Sequence, residues 1–166
     1  LIEAGEEFGG CAYGTEALGV MRIEKGHATG NELNGTTTAL NLGMGHMVST
    51  QKDSIGSVLS RRDGLTGDDA LKLVGFKPCR TSDPVPAGSH LMTKGSPIDA
   101  KHDQGYVTST CYSPTLGHHI AIGFLKSGNQ RLGEIVRLVS PLTNIEHDVE
   151  VVSSHFVDPD GDKLRA

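Results

Sequence analysis

The spacing of apolar residues changes period once along the chain. Between Thr15 and Lys25 it is helical: Ala17, Val20 and Met21 stand at i, i+3 and i+4, the spacing of a core-facing stripe. Thr15 is placed to cap this helix, Glu16 suits its first turn, Lys25 its last, and Gly26 can end it. The next position on the stripe is Glu24. A carboxylate on a core-facing stripe is partly buried and needs a partner. Arg22, a backbone group or a hydrogen-bond-donating ligand can each serve. The plainer alternative is a solvated acid near a helix end.

Around this helix the pattern is looser. Phe8 to Ala12 reads as a short strand or entry segment, and Gly26 to Thr38 as a polar loop rich in Gly, Asn and Thr. Ala39 to Val48 reads as an irregular turn. Ile55 to Arg62 reads as a second helix, with Ile55, Val58 and Leu59 on one face and Asp53 or Ser54 as its cap. From about Asp69 the period becomes that of strands. Leu71, Leu73 and Gly75 alternate with Lys72 and Val74, and further strands are predicted at His90–Thr93, Gln104–Cys111, His118–Leu125, Glu134–Leu138 and Glu146–Phe156. Turn sequences such as Gly95-Ser96-Pro97, Ser113-Pro114 and Ser127-Gly128-Asn129 separate them. The pattern predicts an α+β chain in two parts: residues 1–65, mixed helix and loop, then residues 66–166, an antiparallel β-barrel or jelly-roll-like domain.

Composition sharpens this only in places. The 22 glycines and 7 prolines favour a turn-rich β fold over a helical bundle, and with 4% aromatics the core must be aliphatic. A net charge of -5 without a basic cluster argues against nucleic acid as the main partner. No apolar run is long enough to span a bilayer, and the opening Leu-Ile-Glu-Ala-Gly-Glu-Glu has neither the basic nor the apolar region of a secretory signal. A cytoplasmic location is therefore expected. The chain also lacks an initiating methionine, as expected of a piece of a longer polypeptide.

Metal and nucleophile signals are weak. Cys11, Cys79 and Cys111 are too widely spaced for a zinc or redox pair. The eight histidines include no i, i+4 pair, and His118 and His119 would point to opposite faces of a strand. Asp158-x-Asp160-Gly161-Asp162 lacks the glutamate of a calcium loop and reads as a polar turn. No Gly-x-Ser-x-Gly elbow or Gly-x-Gly-x-x-Gly loop is present. No metal site is expected.

Two separated segments carry a resemblance. Arg22-Ile23-Glu24-Lys25-Gly26, preceded by Gly14 and Leu18, is similar to a signature of the aminomethyltransferase (glycine-cleavage T-protein) family. Gly105-Tyr106-Val107-Thr108-Ser109 through Ser113-Pro114-Thr115-Leu116-Gly117, followed by Ile120-Ala121-Ile122-Gly123, resembles that family's C-terminal barrel. The resemblance runs from about Phe8 to Pro159. The ending Phe156-Val157-Asp158-Pro159-Asp160-Gly161-Asp162-Lys163-Leu164 resembles most the α subunits of heterotetrameric sarcosine oxidases, which end in a folate-binding region of this kind.

The resemblance implies a fragment of a T-protein-like folate-binding domain followed by the C-terminal barrel, with tetrahydrofolate as ligand. Flavin and NAD would belong to other parts or subunits of the parent enzyme. The implied partners are the rest of the α subunit and flavin-bearing subunits. Glu24 would accept two side-by-side N–H bonds from the amino-pyrimidine edge of the pterin. Tyr13, Arg22 and Glu32 join Glu24 as the expected folate-binding residues: Tyr13 would stack on or border the ligand, or only cover the core edge; Arg22 would pair with a nearby carboxylate; and Glu32, in the Gly30–Asn34 loop near the cleft, would bind a polar ring edge or only build the turn. The family's catalytic aspartate lies in an N-terminal half with no counterpart here, so no catalytic residue is assigned and the chain alone is expected to be inactive. A glycine-cleavage aminomethyltransferase accepting lipoyl-bound methylamine, or a non-catalytic folate-binding relative, stays open.

Overall fold

The computed structural model describes residues 1–165. Its dominant feature is a closed barrel of six antiparallel strands: β1 (Leu71–Pro78), β2 (His90–Met92), β3 (Asp103–Ser113), β4 (His118–Lys126), β5 (Ile135–Ser140) and β6 (Ile145–Val152), in the order β1-β4-β3-β2-β5-β6. The circle closes where β6 pairs with β1, Val149 opposite Pro78 and Val152 opposite Gly75. Closure gives every strand a partner on both sides, although β2 covers only the first residues of β3 and β6 only the second half of β1. The predicted strands of residues 66–166 are all present. The last one is shorter than expected, because the chain leaves the sheet after Val152.

Two apolar clusters sit on the two faces of the same strands. Inside the barrel Val74, Phe76, Val85, Leu91, Val107, Ala121, Leu125, Leu138, Val149 and Val151 are almost fully buried. Outside it, Leu73 of β1 and Ile120, Ile122 and Phe124 of β4 form a second cluster. Ile23 caps this cluster from helix α2 (Thr15–Lys25), and Phe156 packs on it from the segment after β6. β4 is therefore covered on both faces, which explains its unbroken buried run Ile120-Ala121-Ile122-Gly123-Phe124-Leu125.

The first 65 residues carry less regular structure than the pattern implied. Phe8–Ala12 forms no strand. The expected helix over 55–62 is a series of turns ending in one 3-10 turn, Leu59–Arg61, followed by α3 (Asp63–Thr66). Its apolar residues have nothing to pack against: Ile55, Val58 and Leu59 are all exposed. A short helix holds its shape mainly through a buried face, and this segment has none. The 39–48 region is irregular as expected, with a 3-10 turn at Gly45–Met47. A further short helix, α1 (Ile2–Glu6), precedes α2 and buries no residue.

Candidate functional site

Helix α2 meets the barrel through one edge of its last turns. Gly14, not Thr15, is its N-cap, in extended conformation and with no side-chain cap bond. The buried edge is also rotated from the one the spacing suggested. Ala17 and Met21 are exposed, Val20 is half-buried, and Ile23 and Glu24 are buried. The operative stripe is Val20, Ile23 and Glu24, still at i, i+3, i+4, so Glu24 is on the buried side as expected.

Glu24 is 7% exposed, and its partner is Ser113 at the end of β3. Ser113 Oγ donates to Glu24 Oε1 at 2.5 Å and accepts the Leu116 amide at 3.0 Å, so the carboxylate grips the β3–β4 hairpin. No hydrogen bond to Glu24 Oε2 is seen among the described residues. The Glu24 carbonyl accepts the amides of Phe156 and Val157, both at 2.9 Å. Gly26 ends the helix at φ 76°, and a Cβ there would lie 2.5 Å from the Ser154 carbonyl. Lys25 reaches over to the Asp158 carbonyl and carboxylate. The chain after β6 is thus strapped across the end of α2. The Asp158–Asp162 segment is a polar turn, closed by the Gly161 amide on the Asp158 carbonyl at 3.0 Å.

Arg22 does not touch Glu24. Its Nη1 donates to Glu32 Oε2 at 3.2 Å and its Nη2 to Ser109 Oγ at 2.6 Å. Ser109 Oγ in turn donates to Glu32 Oε1 at 2.6 Å, closing a three-residue ring between α2, the 29–34 loop and β3. Glu32 is fully buried, and it also accepts the Thr29 amide at 2.8 Å. Burial by itself would raise its carboxyl, but the hydrogen bonds from Ser109 and Thr29 and the charge of Arg22 outweigh it and hold Glu32 below the usual carboxylate range. Asn31 Nδ2 lies 3.4 Å from Ser109 Oγ. Asn34 builds a local turn, its Oδ1 accepting the Thr36 amide at 2.9 Å.

Ser109, Cys111 and Ser113 alternate on β3 and line the seam beneath α2. A register shift between Val107 and Ser109 turns this face outward after Val107 has pointed into the barrel. Cys111 lies between the two serines; burial, then the nearby Glu24 carboxylate, push its thiol up to about 11, against the pull of Arg22. The two serines are the residues that sequence reasoning missed as partners. Their i, i+4 spacing on a strand was visible, but the bulge that aims them at α2 was not.

Tyr13 is 62% exposed and precedes α2, and the helical stretch from Thr15 to Glu24 alone spans about 14 Å at 1.5 Å per residue. The structure therefore joins Arg22 and Glu32 directly, places Glu24 one strand-turn further along the same seam, and leaves Tyr13 at the other end of the helix. Beside the C-terminus of α2 lies a cavity of about 460 Å³, lined by Gly26, His27, Met44, Leu73, Asn129 and His155 among others. Another, about 610 Å³, is lined by the connections on either side of β2 and by β5 and β6; there Lys94 pairs with Asp148, Arg137 with Glu146 and Arg80 with Asp83, at 2.8–2.9 Å.

Residues 72–158 match the family described as the glycine cleavage T-protein C-terminal barrel domain, and residues 1–52 match the GCVT N-terminal domain. The chain belongs to the glycine cleavage T-protein family. It is 41% identical over 165 residues to the sarcosine oxidase subunit alpha of Rhizobium meliloti (strain 1021), covering 99% of this chain and 17% of that protein. To the same subunit of Corynebacterium sp. (strain P-1) it is 34% identical, with 96% and 17% covered. To the aminomethyltransferase of Halothermothrix orenii it is 34% identical, with 95% and 42% covered. The chain thus spans about a sixth of the sarcosine oxidase subunits it matches. The crystal structure of the glycine cleavage system aminomethyltransferase T from Bartonella henselae superposes with a TM-score of 0.70 at 22% identity, over 88% of this chain and 39% of that one, which shows a shared T-protein fold.

Proposed function

We propose that this T-protein-family chain is the folate-binding C-terminal region of a sarcosine oxidase α subunit, with residues 1–65 the end of the folate-binding domain and 66–166 the barrel. The observation that supports this best is the seam itself: the Arg22–Gly26 segment and the Ser109–Gly117 segment, far apart in sequence, meet through Arg22, Glu32, Ser109, Glu24 and Ser113. In the proposed reaction a flavin held elsewhere in the parent enzyme takes two electrons from sarcosine. The resulting imine carbon passes to tetrahydrofolate, giving 5,10-methylenetetrahydrofolate and glycine. NAD would likewise be held outside this chain, and the partners would be the rest of the α subunit and flavin-bearing subunits, none of them nucleic acid or membrane.

The donor set fits the pterin in part. Glu24 Oε1 accepts from Ser113 and Oε2 from no donor among the described residues, so both oxygens keep a lone pair for a pterin N–H while Ser113 stays bound. Arg22 stays 16% exposed, and in this reading its open edge faces the ligand while Tyr13 borders the ligand's far end. Glu32 lies behind them. The full-length protein given sarcosine, oxygen and tetrahydrofolate should form 5,10-methylenetetrahydrofolate at the expense of free formaldehyde. Transfer of a lipoyl-bound aminomethyl group without sarcosine oxidation would establish a glycine-cleavage aminomethyltransferase instead. Folate binding with neither reaction would indicate a regulatory relative.

A further inference from the structure

The buried Glu32 carboxylate has no free face for a ligand. Its Oε1 takes Ser109 Oγ at 2.6 Å; its Oε2 takes the Thr29 amide at 2.8 Å, the Thr29 hydroxyl at 3.3 Å and Arg22 Nη1 at 3.2 Å. None of its surface is in contact with solvent. What it does hold is Arg22, the most exposed member of the ring. Two of the guanidinium's corners are fixed, one by Glu32 and one by Ser109, and Ser109 is itself oriented by donating to Glu32. We infer that Glu32 is a positioning residue: it compensates the charge of Arg22 and fixes the direction in which Arg22 presents its open edge, without touching ligand.

This rests on the folate reading and deepens it. An arginine whose fork is held on two sides is pre-organised, and pre-organisation is a source of affinity distinct from a new contact. Glu32→Gln is the informative change. An amide has the same shape and can still accept from Thr29 or Ser109, but it removes the charge opposite Arg22. Residues that act through one another are non-additive in a double-mutant cycle.

The test is titration of tetrahydrofolate into the full-length parent protein carrying Glu32→Gln, Arg22→Lys or both, with melting temperature recorded for each. Glu32→Gln should weaken binding by about tenfold, and in the Arg22→Lys background it should add little, because the group it positions is gone. Additive losses would overturn the inference in favour of direct ligand contact. Unchanged folate affinity with only a lower melting temperature would reduce Glu32 to a purely structural acid. If Glu32→Gln does not fold, Ser109→Ala replaces it, since it removes the second support of Arg22 and should also be non-additive with Arg22→Lys. A wild-type parent that binds no tetrahydrofolate would overturn the folate reading itself, and with it this role, a result distinct from binding that ignores Glu32.

Discussion

At the residue scale two glutamates divide the work of one seam. Glu24 holds the β3–β4 hairpin through Ser113, and Glu32 holds Arg22 and Ser109. Ser113→Ala leaves a buried carboxylate oxygen without its donor and should cost about 1–3 kcal/mol of folding free energy in a denaturant titration. Glu24→Gln, which still offers an acceptor to Ser113, should cost less. Glu32 also sets a pH dependence. Its folded carboxyl titrates below its unfolded value of 4.5, so its stabilisation is fully present above that value and is lost as pH falls through the folded pKa. Acid unfolding curves of wild type and Glu32→Gln should therefore converge as pH falls below 4.5 and through the folded pKa; parallel curves would contradict the assignment. Cys111, its thiol pushed up to about 11, should resist iodoacetamide at pH 8 while the exposed Cys11 reacts, as followed by peptide mass spectrometry.

At the scale of elements, α2 is fixed at its C-terminal end and little elsewhere. Two glycines let the strap after β6 pass. Gly26 sits at φ 76° against Ser154, and a Cβ on Gly75 of β1 would lie 2.4 Å from the Ser153 carbonyl and 2.6 Å from the Phe156 ring. Gly26→Ala should cost at least about 1–2 kcal/mol from its left-handed backbone alone, and should free the 153–158 segment, seen as faster amide exchange at Phe156 and Val157. Much of this was legible beforehand. Gly26 as a terminator, Lys25 in the last turn and Glu24 on the buried side all follow from spacing and residue type. The rotation of the stripe did not, because Ala17 and Met21 have helical spacing whether or not a wall stands opposite them, and only Ile23 and Glu24 meet one. The Ile55–Arg62 helix failed for the same reason: its apolar face, periodic in sequence, packs on nothing.

For the molecule as a whole, the barrel and the first 65 residues differ in how much they bury. The period-2 runs of the barrel strands were readable because each strand has an inner face, whereas the order β1-β4-β3-β2-β5-β6 depends on pairings between distant segments that no local pattern encodes. Brief proteolysis should cut first between residues 48 and 66, where nearly every residue is exposed and regular structure is limited to two short turns, and should leave the barrel intact. Within the first 65 residues Phe8, Leu18, Met21, Met47, Ile55 and Val58 are exposed, which accords with the proposal that the remainder of an α subunit packs there. The central claim is that the seam under α2 serves a folate site, and calorimetric titration of tetrahydrofolate into the full-length parent and its Glu24→Gln variant tests it most directly. Wild type should bind, and the variant, still folded by its melting curve, should show a clear loss of affinity. Equal binding by the two proteins would contradict it and leave Glu24 as the latch between helix and hairpin.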